Sequence, residues 1–494
     1  MGKTIIVSNR LPVSLRLKQG NFEFRPSAGG LATGLGSIYK EGENIWIGWP
    51  GNDVENPDQR AEIVRELKKL KMAPVFLTKE DIAEFYEGFS NETIWPAFHY
   101  FTQYINYDQS HWDAYVRVNK KFCDAVLEKA GHDDTIWVHD YQLLLLPQML
   151  RELLPNVTIA FFQHIPFPSY EIIRMLPWRK EILKGMVGAD LIGFHTYDDM
   201  RHFLSSAGRL LGMRDESGYI KADNRLINVD SFPMGIDYDK FADSAKSLKT
   251  LEYVKKFKEL LGHQKLLITI DRLDYSKGIP QRIRAFDAFL RENPEFQEKV
   301  SMIMVVVPSR TKVKTYMELK EEIDTLVGKI NSDFSTFNWV PVHYFYRSFP
   351  FEELSAFYSM SDIALVTPLR DGMNLVCKEF VASKTDQKGV LILSEMAGAS
   401  KELQEAVLVN PNDMDSVVEA IKEALYMKEE EQRSRIRSMQ ETIKRYDIFQ
   451  WVKVFMDRLD NVKEKQKKLQ AKGIDDKTIN EMKSRFKSAR NRIL

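Results

Sequence analysis

Cysteine is scarce in this chain, which contains only Cys123 and Cys377 among its 494 residues. Both lie in segments with helical patterns and match no zinc or disulfide spacing, so we expect them to be small core residues in a reducing compartment. No apolar run approaches the roughly 18 to 20 residues that a bilayer span needs. The N-terminus enters a strand pattern directly, without the layout of a signal peptide. The sequence therefore predicts a cytoplasmic protein that does not interact with membranes.

An excess of either charge is also lacking, since Lys plus Arg and Asp plus Glu number 70 each. A balanced chain has no overall field to attract nucleic acid, and no basic stripe accompanies the aromatic residues, so we expect no nucleic-acid partner. Any anion must instead be bound by a local cluster. The length exceeds what one ordinary core supports, and two domains are expected.

Short apolar runs alternate with amphipathic helical patterns along most of the chain. The predicted strands are Thr4–Ser8, Ile45–Gly48, Thr135–His139, Thr158–Gln163, Asp190–His195, Leu266–Ile270, Ser301–Val307, Val342–Tyr346, Asp362–Thr367, Gly389–Ser394 and Ala406–Val409. The predicted helices between them include Tyr170–Val187, Asp198–Leu211, Pro280–Glu292, Val313–Ile330 and Asp415–Met427. Alternation of this kind indicates parallel sheets with crossover helices, hence an α/β fold with two doubly wound, Rossmann-like units.

The domain boundary is predicted after the hairpin-like segment Gly218–Val229. We assign residues 1–235 to an N-terminal domain and 236–445 to a C-terminal domain. Residues 446–460 carry an apolar stripe that includes Trp451 and Phe455, which predicts a helix packed back on the domains. Past Asp460 the chain is mostly charged, so 461–494 is interpreted as a solvated helical linker.

Charged residues recur where predicted strands end, and ligands of open parallel sheets bind at that edge. The most informative of these segments is 370–379, which follows the predicted strand Asp362–Thr367 and opens a helical pattern. Backbone N–H groups of Gly372, Met373, Asn374, Leu375 and Val376 would be unpaired donors at a helix start, which favours phosphate binding. Further along, the carboxylate of Glu379 could accept hydrogen bonds from a ribose diol. The pattern predicts a nucleotide-sugar pocket, although an ordinary turn between strand and helix would also explain it.

The segment 271–278 places Arg272 and Lys277 five residues apart at a strand exit and its turn. Fixed cations stabilise a diphosphate leaving group most strongly in the transition state, when its charge is greatest. No metal cluster is evident, so we predict that these cations replace a metal ion and that no cofactor is needed. The alternative is an Arg–Asp pair that fixes the turn, with a surface lysine.

Three further features bear on a sugar ligand. A glycine-rich loop, Ser27–Gly34, can approach a phosphate or sugar closely, but it has neither the dinucleotide-binding nor the P-loop spacing, and a plain turn is equally consistent. The segments Phe85–Asn91 and Trp95–Tyr100 are dense in aromatic residues, which suit the apolar faces of a sugar or would simply be core residues of a long loop. His164 follows a predicted strand, where it serves either a ligand or the core.

Taken together and in order, these segments resemble the trehalose-6-phosphate synthases, which are retaining glucosyltransferases with the GT-B fold. The similar segments run from Val7–Pro12 to about Trp451 and include His139–Tyr141, His164–Pro168, Arg272–Gly278 and Thr367–Val376. The resemblance implies two Rossmann-like domains that face each other across a cleft. It also implies transfer of glucose from UDP-glucose to glucose 6-phosphate, by a front-face reaction without a protein nucleophile.

The resemblance further implies roles for individual residues. The expected acceptor site for glucose 6-phosphate comprises Arg10, Tyr86, Trp95, Asp140 and Arg310, with both arginines on the phosphate and Asp140 near the attacking hydroxyl. The expected donor site for UDP-glucose comprises Gly29, Gly30, His164, Arg272, Lys277, Phe349, Asp371, Gly372, Met373, Asn374, Leu375, Val376, Cys377, Lys378 and Glu379. Asp140, His164, Arg272 and Lys277 are the expected catalytic residues, and Trp95 and Ile165 are expected to tune anomeric selectivity.

The end of the chain departs from single-domain members of this family. Ala489–Leu494 is similar to the first strand of the phosphatase domain in bifunctional relatives, so we expect a covalently linked C-terminal phosphatase in the parent polypeptide. A homo-oligomer is possible on the sequence. The sequence also leaves open a glycerol 3-phosphate acceptor and a catalytically silent sugar-phosphate sensor. It does not distinguish UDP from ADP or GDP as the carrier.

Overall fold

The computed structural model describes residues 2–18, 21–26, 35, 43–222, 225–311 and 313–472. The chain divides into two compact units. The first contains the described residues through Pro233 together with those from Trp451 to Lys472, and the second contains the described residues of Met234–Gln450. None of the described helices is long and apolar enough to cross a membrane.

The first unit is built on a nine-stranded sheet. Its strands are β1 (Thr4–Arg10), β4 (Ile45–Trp49), β5 (Met72–Pro74), β6 (Thr135–His139), β7 (Thr158–Phe162), β8 (Leu191–Phe194), β9 (Asp215–Glu216), β10 (Tyr219–Ala222) and β11 (Arg225–Ser231). Their order in the sheet is β5-β4-β1-β6-β7-β8-β11-β10-β9. The first seven strands of this order pair in parallel, and β10 and β9 add an antiparallel edge. A separate hairpin pairs β2 (Val13–Lys18) with β3 (Asn21–Pro26).

The second unit contains a fully parallel six-stranded sheet with the order β14-β13-β12-β15-β16-β17. Its strands are β12 (Lys265–Arg272), β13 (Val300–Val307), β14 (Val342–Phe345), β15 (Ile363–Val366), β16 (Val390–Ser394) and β17 (Val407–Val409). The order reverses direction between β12 and β15. In parallel sheets that point marks the ligand crevice, at the carboxyl ends of the strands.

Helices connect these strands, as the alternating sequence pattern predicts. In the first unit they are Pro57–Lys69, Lys79–Asp81, Trp95–Phe98, Gln109–Leu127, Leu146–Leu153, Tyr170–Ile173, Arg179–Met186 and Tyr197–Leu211, with a final helix Ile448–Lys472 that begins in the second unit. The second unit has Tyr238–Lys246, Leu248–Leu261, Ile279–Glu292, Lys314–Phe334, Phe351–Met360, Leu375–Ser383, Met414–Tyr426 and Glu429–Arg445. Both cysteines are buried in helices and unbridged, as expected.

The single helix predicted over Tyr170–Val187 is wrong. The chain forms Tyr170–Ile173 and Arg179–Met186, separated by turns around Pro177. Proline lacks the backbone N–H of a helix interior and disfavours helical geometry in the residue before it, so the helix stops and restarts there.

The aromatic segment that would be a long loop on composition is instead a π-helix, Ile82–Ile94. Phe85 and Phe89 on this helix are fully buried, whereas Tyr86 keeps part of its surface exposed. Such wide turns are rare and are frequently found at functional sites. The core interpretation therefore holds for Phe85 and Phe89, whereas Tyr86 keeps surface that a ligand could reach.

The final helix packs on the first unit. The rings of Phe455 and Trp137 are parallel with centroids 4.5 Å apart, and the indole N–H of Trp451 donates to the carbonyl of Phe232 at 3.0 Å. Phe449, which also lies in the segment 446–460 that carries the predicted stripe, faces outward at 45% exposure. Beyond Asp460, Val462 is buried, so the described part of the charged segment packs on the protein and is not fully solvated.

Candidate active site

The loops after β12 and β15 meet through Lys277 and Asp371. The Lys277 ammonium lies 2.6 Å from Asp371 Oδ2, and both side chains are largely buried. The side-chain amide of Asn374 donates to the same oxygen at 3.0 Å. The carbonyl of Ser276 accepts from the N–H groups of Leu369 and Arg370, at 2.8 and 3.2 Å, and ties the two loops together. The predicted cation thus lies beside the predicted phosphate loop.

Asn374 begins the helix Leu375–Ser383 in an unusual conformation, with φ 71°. Its side-chain oxygen accepts from the N–H of Cys377 at 3.3 Å, which caps one of the first helical donors. The N–H groups of Leu375 and Val376 have no acceptor within the helix, as at any helix start. These donors and the positive end of the helix dipole suit an anion, and Lys277 adds a full charge nearby.

The loop before this helix is held by backbone hydrogen bonds. The Asp371 N–H donates to Met396 O at 3.2 Å, and Asp371 O accepts from the N–H of Gly398 at 3.2 Å. The carbonyl of Met373 accepts from the N–H of Ala399 at 2.9 Å. A ligand at the helix start would therefore meet a preformed surface rather than an adaptable loop.

Beneath Lys277 lies a buried polar network that sequence reasoning missed. The guanidinium of Arg282 donates to Asp271 at 2.5 Å, to the hydroxyls of Thr269 and Thr367, and to the carbonyl of Lys277 at 3.0 Å. Burial raises the pKa of Asp271, while Arg282 opposes that rise. The available signal was a lone arginine on the apolar face of the helix Ile279–Glu292.

Arg272 and Phe349, two further predicted donor residues, also lie in the second unit. Arg272 is exposed at the end of β12, directly after the buried Asp271. The ring of Phe349 packs edge-to-face on Phe357, with centroids 5.0 Å apart, and the Arg347 guanidinium lies 4.5 Å from its centre. Phe349 thus has a fixed place just before the helix Phe351–Met360.

Glu379 accepts a hydrogen bond from the hydroxyl of Tyr358 at 2.7 Å. Burial raises the pKa of Glu379, and the Tyr358 bond opposes that rise. The pKa of Tyr358 is raised well above its ordinary value by burial and by Glu379, so the tyrosine stays protonated as the donor. Tyr358 lies on a neighbouring helix, and no local pattern marks it as the partner of Glu379.

The side chains of Cys377 and Lys378 point into the protein. Burial raises the pKa of the Cys377 thiol to about 12, so it is not a nucleophile at neutral pH. The Lys378 ammonium donates to the carbonyl of Met234 at 2.8 Å and pairs with Glu402 at 2.6 Å. These two residues could contribute to an anion site only through their backbone.

Arg310, predicted to bind the acceptor phosphate, lies in the second unit. Its guanidinium pairs with Asp274 at 2.9 Å, and both side chains are buried. The hydroxyl of Tyr316 contacts Arg310 as well. Asp274 and Tyr316 hold the arginine in place, a role that the sequence pattern does not mark for either residue.

In the first unit, Arg10 ends β1 and stacks over Trp49, with 4.6 Å from the guanidinium carbon to the ring centre. Trp49 contacts Tyr86 edge-on at 5.7 Å. Arg10 as a whole is exposed, but partial desolvation of its guanidinium lowers its pKa, and Tyr86 opposes that effect. An alanine at Gly51 would place its Cβ 2.3 Å from the guanidinium, so a glycine leaves room for this arginine. The structure brings together Arg10 and Tyr86 of the predicted acceptor set.

Asp140 follows β6 with φ 75°, a conformation that non-glycine residues rarely adopt outside functional sites. One carboxylate oxygen accepts from the N–H groups of Tyr141 and His164, at 2.9 and 3.2 Å. Asp140 and His164, which were predicted separately, are therefore joined by a hydrogen bond from the backbone N–H of His164 to the Asp140 carboxylate. Ile165 is the buried residue that follows.

Trp95 is buried and stacks on His99, with ring centroids 4.1 Å apart and a 29° angle between planes. It also contacts Tyr141, whose hydroxyl donates to Asn91 of the π-helix at 2.9 Å. These contacts join Trp95 to the segment that carries Asp140. Gly29 and Gly30, the remaining predicted donor residues, lie outside the described part of the chain.

Each unit thus offers one kind of chemistry. The second unit combines Lys277, a helix N-terminus and a carboxylate with a fixed phenol partner, which suits a nucleoside diphosphate. The first unit combines an arginine held against aromatic rings with Asp140 and Trp95, which suits a hydroxylated anion. Within the described residues, no group of three or more His, Cys, Asp or Glu side chains is arranged to hold a metal ion.

Comparison with known proteins gives consistent matches. The family model described as Glycosyltransferase family 20 matches residues 2–461. The chain is 44% identical to a bifunctional trehalose-6-phosphate synthase/phosphatase of Thermoproteus tenax, over 100% of this chain and 68% of the relative. It is 44% identical to the UDP-forming α,α-trehalose-phosphate synthase of Candida albicans, over 93% and 97%. A crystal structure of a UDP-forming α,α-trehalose-phosphate synthase from Burkholderia xenovorans in complex with glucose-6-phosphate matches with TM-score 0.84 and 34% identity, over 93% of this chain and 100% of that one.

Proposed function

The chain belongs to glycosyltransferase family 20, and on this premise we propose that it transfers glucose from UDP-glucose to glucose 6-phosphate with retention of configuration. The products are α,α-trehalose 6-phosphate and UDP. The fold is of the GT-B class, with two doubly wound units. The observation that carries the proposal is the group formed by Lys277, Asp371 and the start of the helix Leu375–Ser383.

Transfer breaks the bond between the anomeric carbon and the diphosphate oxygen, and the electron pair leaves with UDP. Lys277, Arg272 and the N–H groups of Leu375 and Val376 stabilise the charge that grows on that oxygen. The acceptor hydroxyl forms the new bond on the same face, and its proton passes to the departing phosphate. Asp371 is proposed to bind hydroxyls of the donor glucose and Glu379 the ribose. No protein nucleophile is needed, which agrees with the buried thiol of Cys377.

The acceptor is proposed to bind through its phosphate and its ring. Arg10 and Arg310 each have a guanidinium held by neighbouring side chains, a preorganised form that suits phosphate. Asp140 is held by two backbone N–H groups and is proposed to lie near the attacking hydroxyl. Trp95 precedes Asp140 in the chain and Ile165 follows it, and both residues are proposed to bias the anomeric configuration of the product.

We further propose that Arg272 and Lys277 take the place of a metal ion. The test is UDP release by protein dialysed against EDTA, with and without added Mg²⁺ or Mn²⁺. Rates that change by less than about twofold support the proposal. Rates that collapse in EDTA and recover with either ion contradict it.

The activity itself is tested with purified protein and a matrix of substrates. UDP-, ADP- and GDP-glucose are each combined with glucose 6-phosphate, glycerol 3-phosphate or unphosphorylated glucose, and nucleotide release and product are measured. We expect the highest rate with UDP-glucose and glucose 6-phosphate, and an α,α-linked product by NMR. A preference for glycerol 3-phosphate would show that it, rather than glucose 6-phosphate, is the acceptor. No nucleotide release with any pair would reject the enzymatic function.

A downstream phosphatase domain stays a prediction from Ala489–Leu494, which lie outside the described residues. The Thermoproteus tenax relative carries both activities in its name. Reading the gene beyond Leu494 tests the prediction, which requires an Asp-x-Asp motif soon after this point.

A further inference from the structure

His139 and His164 form a direct pair at the carboxyl edge of the first sheet. Nδ1 of His139 lies 3.1 Å from Nε2 of His164, within hydrogen-bond distance. His139 ends β6 and is fully buried, whereas His164, two residues past the end of β7, keeps part of its surface accessible. A buried histidine therefore stands behind one that a ligand can reach.

Both rings are neutral at pH 7. Burial, followed by the mutual effect of the rings, lowers the pKa of His139 well below its ordinary value. Burial and the nearby His195 do the same for His164. A neutral imidazole has one N–H and one bare nitrogen, so one member of the 3.1 Å contact donates and the other accepts.

The second nitrogen of His139 decides between the two arrangements. Its Nε2 is buried and has no hydrogen-bond partner. A proton there would create an orphaned buried donor, which folded proteins avoid more strictly than an orphaned acceptor. The proton of His139 therefore belongs on Nδ1, which makes His139 the donor and Nε2 of His164 the acceptor. The proton of His164 then lies on its own Nδ1, which has no hydrogen-bond partner among the described residues.

We propose that His139 is a positioning residue that fixes His164 in the Nδ1–H tautomer, so that this N–H is offered to an oxygen of the donor sugar. The inference rests on the proposed function, which supplies the sugar. Neither ring gains or loses a proton in this role. The surrounding groups are aromatic: Trp137 lies 4.7 Å from the His139 ring centre, and Phe162 and His195 lie 4.7 and 5.4 Å from that of His164.

The tautomer can be read directly by long-range ¹H–¹⁵N NMR of the full chain labelled with ¹⁵N-histidine. Loss of signals in His164→Gln assigns the ring. We expect His164 to carry its proton on Nδ1 in the wild type and to shift toward Nε2–H in His139→Phe, which removes the donor. His139→Asn places an amide N–H near the position of Nδ1 and is expected to restore the wild-type pattern.

Turnover provides the second readout. We expect His139→Phe to lower kcat by about 10- to 100-fold, the range found for partners that orient metal-ligating histidines. The KM for glucose 6-phosphate should stay within about twofold, and His139→Asn should recover part of the loss. Trp137→Phe is the packing control, because it alters the ring against His139 but leaves the histidine pair, and it should keep the His164 tautomer.

The two proposals fail in different ways. A wild-type enzyme that is active, but whose His164 carries its proton on Nε2 or keeps its tautomer in His139→Phe, overturns the role of His139 alone. Wild-type protein that releases no UDP with glucose 6-phosphate overturns the proposed function, whatever the tautomer.

Discussion

Lys277 and Asp371 are 94 residues apart in sequence, yet the ammonium of one lies 2.6 Å from the carboxylate of the other. The contact exists because β12 and β15 are neighbours in the sheet and both loops leave its carboxyl edge. The two charges balance one another at a helix start that attracts anions. A bound diphosphate would add its own charge to this pair, so Lys277 is placed to respond to charge that develops on the leaving group.

The conformation of Gly278 should be indispensable. It has φ 65°, and an added Cβ would lie 2.6 Å from the carbonyl oxygen of Thr367. Gly212 is a matched control, with φ 71° and nothing within 4 Å of an added Cβ. Gly212→Ala should cost only the left-handed strain, about 1–2 kcal/mol. Gly278→Ala should lower the melting temperature more than Gly212→Ala does, and it should also reduce UDP release. Both quantities are measured on the same preparations.

Equal thermal losses and equal activity in the two variants would show that the Thr367 contact is relieved easily. That outcome would remove the claim that Gly278 fixes the turn after Lys277.

Glu379 should lower stability at neutral pH in exchange for ribose binding. Its pKa is raised above the ordinary value of 4.5, chiefly by burial. A carboxyl group with a raised folded pKa contributes stability below the ordinary pKa, and that contribution is lost as pH rises through the folded pKa. Glu379→Gln should therefore raise the melting temperature at pH 7, show little gain near pH 4, and increase the KM for UDP-glucose.

Glu352→Gln supplies a control of opposite sign. The pKa of Glu352 is lowered by a backbone hydrogen bond, so its carboxylate stabilises the fold above pH 4.5. Its replacement should lower the melting temperature slightly at pH 7. A melting temperature of Glu379→Gln below that of the wild type at pH 7 would contradict the claim that burial of the ionised Glu379 carboxylate destabilises the fold.

The buried pair of Lys378 and Glu402 should be structural rather than catalytic. Lys378→Met leaves Glu402 and the carbonyl of Met234 without their partner, so we expect a loss of about 3 kcal/mol in the free energy of unfolding. The exposed pair Lys388–Glu429 is the control, and Lys388→Met should cost about 1 kcal/mol or less. Denaturant titration measures both, and recovery in Lys378→Met/Glu402→Gln would identify the unpaired charge as the cause.

Arg310 should act on the acceptor rather than the donor. Arg310→Lys removes the planar guanidinium that Asp274 holds, and we expect the KM for glucose 6-phosphate to rise about tenfold. Arg284→Lys, at an exposed arginine paired with Glu322, is the matched control and should change nothing. Steady-state kinetics with each substrate varied in turn will separate the effects. A larger rise in the KM for UDP-glucose would assign Arg310 to the donor.

Much of the fold follows from hydrophobic periodicity. Each predicted strand overlaps an observed strand, and the hairpin-like segment forms β10 and β11, because buried parallel strands are continuous apolar runs that alternate with amphipathic helices. The predictions of secondary structure are wrong where local chemistry overrides the hydrophobic periodicity. Pro177 interrupts a helix, and the π-helix Ile82–Ile94 has no periodic signal of its own.

The candidate site was predictable only in part, for a physical reason. Residues at strand exits, such as Lys277 and Asp371, can be found because topology gathers them at one edge. Their partners cannot, since Arg282 and Tyr358 lie on helices whose rotation about their own axes depends on tertiary packing. The positive φ of Asn374 is equally invisible, because asparagine adopts it only occasionally.

The central claim is that cations of the second unit stabilise the departing UDP. Single-turnover rates and UDP-glucose affinities should be measured for Lys277→Ala and Arg272→Ala, with Lys265→Ala as the control. Lys265 forms an exposed ion pair with Asp362 at the opposite end of β12. We predict that the two site variants lose roughly 2–4 kcal/mol of transition-state stabilisation, or about 30- to 900-fold in rate, with donor affinity changed far less. Near-wild-type rates in both, or losses matched by Lys265→Ala, would contradict the account.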